Sequence, residues 1–474
     1  MGMGKRLKAE AMVRLMGDMS RAELGDPRRT SRAVRIMGRM GRKPSESLPQ
    51  ALVTDAELEG AYRFFNNDDI SFSGLMEAHT AAVAKRAVGK GPLLAIHDTT
   101  TCQYAHGDPE EMGYLPTGKA GFLLHLTLLA DVKDWRRPLG IVNAEPLRRE
   151  ERSRRGKGKK SGSETAKWKD KESARWLRGV QATEERMKGK APIIHVADRE
   201  SDQYALMSPM VEAGQRFVFR AKHDRVVETE EGKRHVREWV ERAEAMLERE
   251  VPLSGRLAES APVARKTHPP RKARVAKLKV ASTTADLRRP QYCEGMPASA
   301  TVNVVHVFET EAPEGQTPVD WLLYTTEPVA TKEDIATVVD YYRARWLIEE
   351  LNKALKTGCV VQQRYLESYE ALLNMLALSL PIAVELLALR SLARTDSSRP
   401  STDIFTRGQL AALRHLSHRP VPSKATVKDV LWCIAGLGGH IKNNGEPGWQ
   451  VLQRGMNEFL SFAAGWCARD AAEM

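Results

Sequence analysis

Two short apolar runs each lead into an aspartate. Gly91-Pro92 opens Leu93-Leu94-Ala95-Ile96, followed by His97 and Asp98; Ala191-Pro192 opens Ile193-Ile194-His195-Val196-Ala197, followed by Asp198. Continuous apolar runs of this length, without polar alternation, belong to central strands covered on both faces. Such strands need helices on either side, so the chain must contain an α/β core. Side chains at the carboxyl ends of these strands are where α/β folds place their ligands. Gly121–Asp131 and Leu139–Val142 supply further strands between the two runs.

With 474 residues the chain exceeds one ordinary core, and two to four domains are expected. Residues 1–70 read as helical. Arg28, Arg32, Arg35 and Arg39 recur at three- and four-residue spacing, with Arg29, Arg42 and Lys43 beside them. Pro27 suits a first helical turn. A face with that much positive charge and no balancing acids suits a phosphate backbone; a solvated helix is the alternative. Residues 148–160 (RREERSRRGKGKK) form a basic tract unable to make a core. From about 226 to 328 the texture becomes short β-like pieces, including a basic hairpin candidate over 265–279, and reads as an inserted β subdomain. The Asp396–Asp403 segment (DSSRPSTD) marks a linker before a helical last region, 396–474, with a Gly436-Leu437-Gly438-Gly439 turn and Trp432, Trp449 and Trp466.

Seventy-three Lys and Arg against 61 Asp and Glu leave a net charge of +12, which favours a polyanionic partner, nucleic acid ahead of an acidic membrane. Cys102, Cys293, Cys359, Cys433 and Cys467 are far apart and suggest neither zinc site nor disulfide framework, so a reducing compartment fits. The N-terminus lacks a secretory hydrophobic region, and the uncharged run Ala371–Val384 is too short to span a bilayer, so it reads as a buried core helix.

Tyr342, Arg345, Glu349, Lys353 and Lys356 lie at offsets that a helix of about 100° per residue gathers within an arc of roughly 80°. Ala344, Leu347, Ile348, Leu351 and Leu355 occupy the opposite face, as a core-packed helix requires. A carboxylate among cations and a phenol suits a metal ion and phosphates. The alternative is a solvated face carrying Arg345–Glu349 and Glu349–Lys353 ion pairs. Asp98, Asp198 and Glu349 together would supply the hard oxygen ligands that Mg²⁺ prefers. Two such ions about 4 Å apart can activate the attacking oxygen and stabilise the leaving one in phosphodiester cleavage. Asp98, before three threonines, could equally be a turn or cap residue. Glu200 and Asp202 are alternatives to Asp198, which leads because it ends the apolar strand.

The pattern Tyr342-x2-Arg345-x3-Glu349-x6-Lys356 resembles the YREK signature of DDE cut-and-paste transposases of the insertion-sequence-four family. Leu24–Thr30, Glu59–Phe64, Asp198–Glu200, Arg220–His223 and Trp321–Leu323 resemble segments of that family in the same order, and Gly436–Gly439 resembles its dimerisation region. The likeness covers nearly the whole chain, departing in the 148–160 loop and in a shorter region after the linker.

The resemblance implies a ribonuclease H-like catalytic core over 71–395, with the β subdomain at about 226–328 inserted in it. A DNA-binding domain over 1–70 and a dimerisation domain over 396–474 would flank it. It makes Asp98, Asp198 and Glu349 the catalytic triad, holding two Mg²⁺ ions for which Mn²⁺ can substitute. Tyr342, Arg345 and Lys356, with Lys353 close by, would grip the strand near the cut. Trp321 would fill the space of a flipped base, though on its own it reads equally as a core tryptophan. Arg220, Arg28, Arg29 and Arg32 would be further DNA contacts. The implied activity is excision of a mobile element at its inverted ends through a DNA hairpin, then joining to target DNA. The implied protein is a homodimer in a synaptic complex, needing no membrane, in the bacterial cytoplasm and on the nucleoid when DNA-bound.

Overall fold

The computed structural model describes residues 7–150 and 172–472, apart from 106, 135–136, 230, 254, 256–269, 367, 442 and 444. Most of the basic 148–160 tract, and the first part of the hairpin expected over 265–279, lie outside the described residues.

Eleven strands form one sheet: β1 Leu93–Gln103, β2 Gly121–Asp131, β3 Pro138–Leu147, β4 Ile193–Ala197, β5 Arg216–Arg220, β6 Val226–Thr229, β7 Gly232–His235, β8 Ala245–Leu253, β9 Arg274–Arg288, β10 Ser299–Glu309 and β11 Asp320–Thr325. The order is β3-β2-β1-β4-β5-β11-β10-β9-β6-β7, with β8 also on β9. β3, β2 and β1 are antiparallel, β1, β4 and β5 parallel, and β11 returns antiparallel to β5. The segment expected to be a separate β insert is therefore hydrogen-bonded edge-on into the core sheet through β11. It does pack its own apolar cluster, in which Val227, Val240, Leu287 and Val302 meet Phe217 and Phe219 of β5.

Residues of β1 alternate between two covered faces, as the strand period requires. Leu94 and Ile96 join a core with Ile348, Leu351 and Leu376, whereas Leu93 and Ala95 join one with Val83, Ala84 and Met187. Helices Trp346–Lys353 and Tyr369–Thr395 therefore cover one face, and helices Phe72–Ala87 and Arg175–Met187 the other. Helix Tyr369–Thr395 is longer than the apolar run read from the sequence, and by length and hydropathy it could cross a bilayer. Here 78% of its most apolar stretch is buried inside the protein. Its Asn374 amide donates to the carbonyls of Phe65 (3.0 Å) and Ile70 (3.1 Å), fastening the N-terminal helices to it.

In the N-terminal region Asp26 caps helix Pro27–Arg42 by accepting from Arg28 N at 2.8 Å, with Pro27 in the first turn as expected. Ala33, Ile36, Met37 and Met40 turn the other face of this helix into the core. At the C-terminal end, helices Arg407–Leu416, Val427–Leu437 and Trp449–Ala472 enclose a cluster centred on Leu413, Ile434 and Phe459. Two of these helices cross at glycines. A Cβ on Gly438 would sit 1.9 Å from Val451 O, and one on Gly455 would sit 1.7 Å from Ile434 O. The Gly436–Gly439 turn, which the resemblance assigns to dimerisation, is thus engaged in packing within the chain.

Candidate active site

Asp98 and Asp198 meet because β1 and β4 run parallel with a constant offset, Leu93 against Ile193 through Ile96 against Val196. β1 runs on through Asp98 and β4 ends one residue before Asp198, which leaves the two acids close enough for their charges to act on each other. The two strands do not end alike. β4 stops at Ala197, and Asp198 caps a short turn by accepting from Glu200 N at 2.8 Å. β1 continues to Gln103 because β2 stays paired with it to Gly121, so Asp98 lies inside a strand rather than at its end. Above it passes the helix carrying Glu349. Burial, then the charges of Asp198 and Glu349, push the Asp98 carboxyl up to about 7 against the pull of Arg345.

The polar stripe is less regular than a uniform helix would make it. Helix Lys332–Ala344 starts with a reciprocal Thr331–Asp334 capping box. It tightens at Arg345, whose N–H reaches Tyr342 O (3.1 Å), while Ile348 N reaches Arg345 O (3.2 Å). After helix Trp346–Lys353 the backbone widens into a π turn, Ala354–Gly358, in which Cys359 N reaches Ala354 O at 2.9 Å. One overwound and one underwound turn move side chains off the expected arc. The apolar face is as expected, with Ala344, Leu347, Ile348, Leu351 and Leu355 all buried.

On the polar side, Arg345 Nη2 donates to Glu349 at 2.6 Å. Burial opposes the Arg345 charge, but Tyr342, Glu349 and Asp198 together raise its pKa. The expected Glu349–Lys353 pair does not form. Lys353 turns instead to Glu350 at 3.1 Å and lies over the Trp346 ring at 4.9 Å. Tyr342 is buried rather than exposed, edge-on to half-buried Trp321 with ring centres 5.3 Å apart. Burial lowers the Lys356 pKa, with Cys102 and Asp98 opposing the shift.

The alternatives to Asp198 are engaged elsewhere. Asp202 is buried and accepts from Lys222 N (2.6 Å), His223 N (2.8 Å) and Arg225 Nε (2.7 Å). Glu200 pairs with Arg175 at 2.9 Å, and Arg175 also donates to Thr99, on the face of β1 opposite Asp98.

The remaining expected residues are scattered. Arg220 donates to Asp320 O at 3.0 Å, beside the start of the Trp321 strand. Arg28 is exposed and pairs with Asp26 at 2.8 Å. Arg29 pairs with Asp69, and Arg39 with Glu57 at 2.9 Å; Arg32 and Arg35 are exposed. The basic helix is therefore partly balanced by acids from its own N-cap and from later segments, contrary to the expectation of an uncompensated face.

Two neighbours of Glu349 were missed. Asn352 Nδ2 donates to Asp98 Oδ2 at 2.9 Å. Its place three residues after Glu349, on the same helix face, was the available signal. Buried Glu350 accepts from Trp449 Nε1 (3.1 Å), from Lys353 and from Arg390. Nothing local in the sequence announces those long-range partners.

Among the described residues no three His, Cys, Asp or Glu side chains stand ready to hold a metal ion, because Glu349 is turned to Arg345. The donor chemistry nevertheless fits a hard divalent cation. Asp98, Asp198 and Glu349 carry oxygen donors only, and their mutual repulsion, felt in the raised Asp98 carboxyl, is what such an ion relieves.

A mixed sheet flanked by helices, with Asp98 in the parallel strand β1, Asp198 just past the end of β4 and Glu349 on the crossing helix, fits a ribonuclease H-like core. Residues 15–70 match the family model for a transposase DNA-binding domain. Residues 152–383, which include Asp198 and Glu349 but start after Asp98, match that for a transposase DDE domain. The chain is a DDE transposase, a DNA-acting enzyme of a class that depends on divalent metal. Among solved structures it is similar to piggyBac transposase in a synaptic complex with hairpin DNA, at 11% identity and a TM-score of 0.34, over 93% of this chain and 71% of that one.

Proposed function

We propose that this transposase belongs to the insertion-sequence-four family, close to the transposase of transposon five, and moves its element by cut and paste. The observation that supports the catalytic assignment is that Asp98 in β1 and Asp198, just past the end of the neighbouring parallel strand β4, lie close enough to Glu349 for both other charges to act on Asp98. Asp98, Asp198 and Glu349 would hold two Mg²⁺ ions, with Mn²⁺ able to substitute. The ions, when bound, lower the cost of deprotonating the attacking oxygen and of charge on the leaving one.

The chain's own residues position the DNA. Arg345, Lys353 and Lys356 would neutralise phosphates at the cut strand, with Arg345 exchanging Glu349 for a phosphate and so leaving the Glu349 carboxylate free to hold a metal ion. Tyr342 and Trp321 form an aromatic pair that can receive or replace an unstacked base. Water attacks phosphorus at the element's end and releases a 3′-OH. That hydroxyl attacks the opposite strand, forming a hairpin and freeing the flanking DNA. A second water reopens the hairpin, and the 3′-OH ends attack target phosphodiesters. Arg28, Arg29, Arg32 and Arg220 would contact DNA outside the reacting phosphate. Residues 1–70 would be the DNA-binding domain, 71–395 the catalytic domain and 396–474 the dimerisation domain of a homodimer. It would work in the bacterial cytoplasm, on the nucleoid when bound to DNA.

The test is incubation of the protein with Mg²⁺ and DNA carrying the inverted ends that flank its reading frame. Nicked, hairpin and joined products, resolved on denaturing gels, are expected. A shifted complex without any product would refute the cut-and-paste reading, and nicking without hairpin or joined product would reduce the protein to a nuclease.

A further inference from the structure

Asn352 bridges the two elements that carry the acids. Its Nδ2 donates to Asp98 Oδ2 at 2.9 Å, and its Oδ1 is buried with no hydrogen-bond partner. A carboxylate at Asp98 fixes the amide orientation, since only the nitrogen can donate. The bond runs from helix Trp346–Lys353 to strand β1, 254 residues apart in sequence. An unpaired buried carbonyl is costly where it stays unpaired. A buried acceptor without a partner, on a side chain bonded to Asp98, is suited to the hydrogen of a cation-bound water.

We propose that Asn352 is a positioning residue of the candidate metal site. Its amide nitrogen locks the Asp98 carboxylate in orientation, and its oxygen accepts from water carried by a divalent cation held by Asp98, Asp198 and Glu349. The proposal rests on the metal reading of those three acids. Its logic is that of outer-shell partners elsewhere: the ligand's orientation is set by a neighbour that never touches the metal. The one bond therefore orients Asp98.

The test uses the full chain with Ca²⁺, which binds hard oxygen sites, as the probe in thermal unfolding. Asn352→Leu keeps the side-chain volume and removes donor and acceptor; Asn352→Ala is the second variant should the leucine fail to fold. Wild type is expected to gain melting temperature with Ca²⁺, and the Asn352 variant to lose most of that gain. In end cleavage the same variant should need about tenfold more Mg²⁺ for half-maximal rate, with metal-free DNA-end binding unchanged. A role in packing alone would lower the metal-free melting temperature and leave the Ca²⁺ increment and the Mg²⁺ requirement as in wild type, and that result overturns the proposal. Asp98→Asn separates the two levels: a Ca²⁺ response that survives it would mean that the acids do not hold the cation, and the metal reading itself would fall.

Discussion

Trp449 donates its indole N–H to Glu350 across 3.1 Å, joining the C-terminal helix to the helix that carries Glu349. Arg390 completes the junction, paired with Glu350 and lying 4.7 Å over the Trp449 ring. Burial raises the Glu350 pKa, but Arg390, Lys353 and Arg394 outweigh it and hold the carboxyl below its ordinary value.

Glu350→Gln should therefore leave the largely buried Arg390 without its ion-pair partner, keeping only its bond to Pro447 O, at a cost of about 3 kcal/mol. Trp449→Phe, which removes one hydrogen bond and keeps most of the ring, should cost about 1 kcal/mol. Urea unfolding with both variants measures the difference. Equal losses would show that ring packing, rather than the buried charge, fastens the two elements.

Asp198→Asn and Glu349→Gln should both lose metal-dependent cleavage, with Asp198→Asn binding DNA ends as wild type does. Both replacements keep the side-chain shape and remove the charge a cation requires. Retained cleavage in either variant would remove that residue from the triad. Glu349→Gln leaves Arg345 without its ion-pair partner, so a modest gain in end affinity should accompany the loss of cutting.

Much of this site was legible from chemistry and spacing. The acid-tipped apolar runs became adjacent parallel strands because uninterrupted apolar sequence has no stable place except between two covered faces. The buried face of the Glu349 helix followed from its period. What failed was the assumption that side chains sharing one arc pair with one another: within regular helix Lys353 turns to Glu350, three residues back, and Tyr342 packs into the core. These departures arise from packing against β1 and helix Tyr369–Thr395, which no local pattern encodes. The acids balancing the basic helix were hidden for the same reason, since Glu57 and Asp69 come from later segments.

The raised Asp98 carboxyl makes metal-free stability depend on pH. Between its ordinary value near 4 and about 7, folded Asp98 keeps a proton that the unfolded chain has released. Stability should then fall as pH rises through that window, by on the order of 2 kcal/mol, since Asp98 keeps some contact with solvent. Asp98→Asn should remove this slope, and its stability relative to wild type should be greater at pH 8 than at pH 5. Melting curves in chelator across that range measure it; parallel pH profiles for the two proteins would contradict the assignment.

Gly455→Ala should disrupt the crossing of helices Val427–Leu437 and Trp449–Ala472, because the new methyl would fall 1.7 Å from Ile434 O, a backbone atom that cannot swing aside. A loss of about 2–4 kcal/mol is expected, with faster proteolysis within 407–472 than elsewhere. Unchanged protection there would mean that the helices separate without cost.

Arg32 and Arg39 lie on the same basic helix but should fail differently when replaced. Arg39 is bound to Glu57 at 2.9 Å and is only partly exposed, so Arg39→Ala should cost stability, about 1 kcal/mol, with a smaller effect on DNA. Arg32 is exposed beside Gly60, with open solvent for a phosphate. Arg32→Ala should leave the melting temperature unchanged, weaken binding to specific and random DNA alike, and lower the salt dependence of affinity by about one unit of slope. Titrations at several salt concentrations decide it. A variant with the wild-type slope would place Arg32 outside the DNA contact and leave the basic helix as a solvated surface.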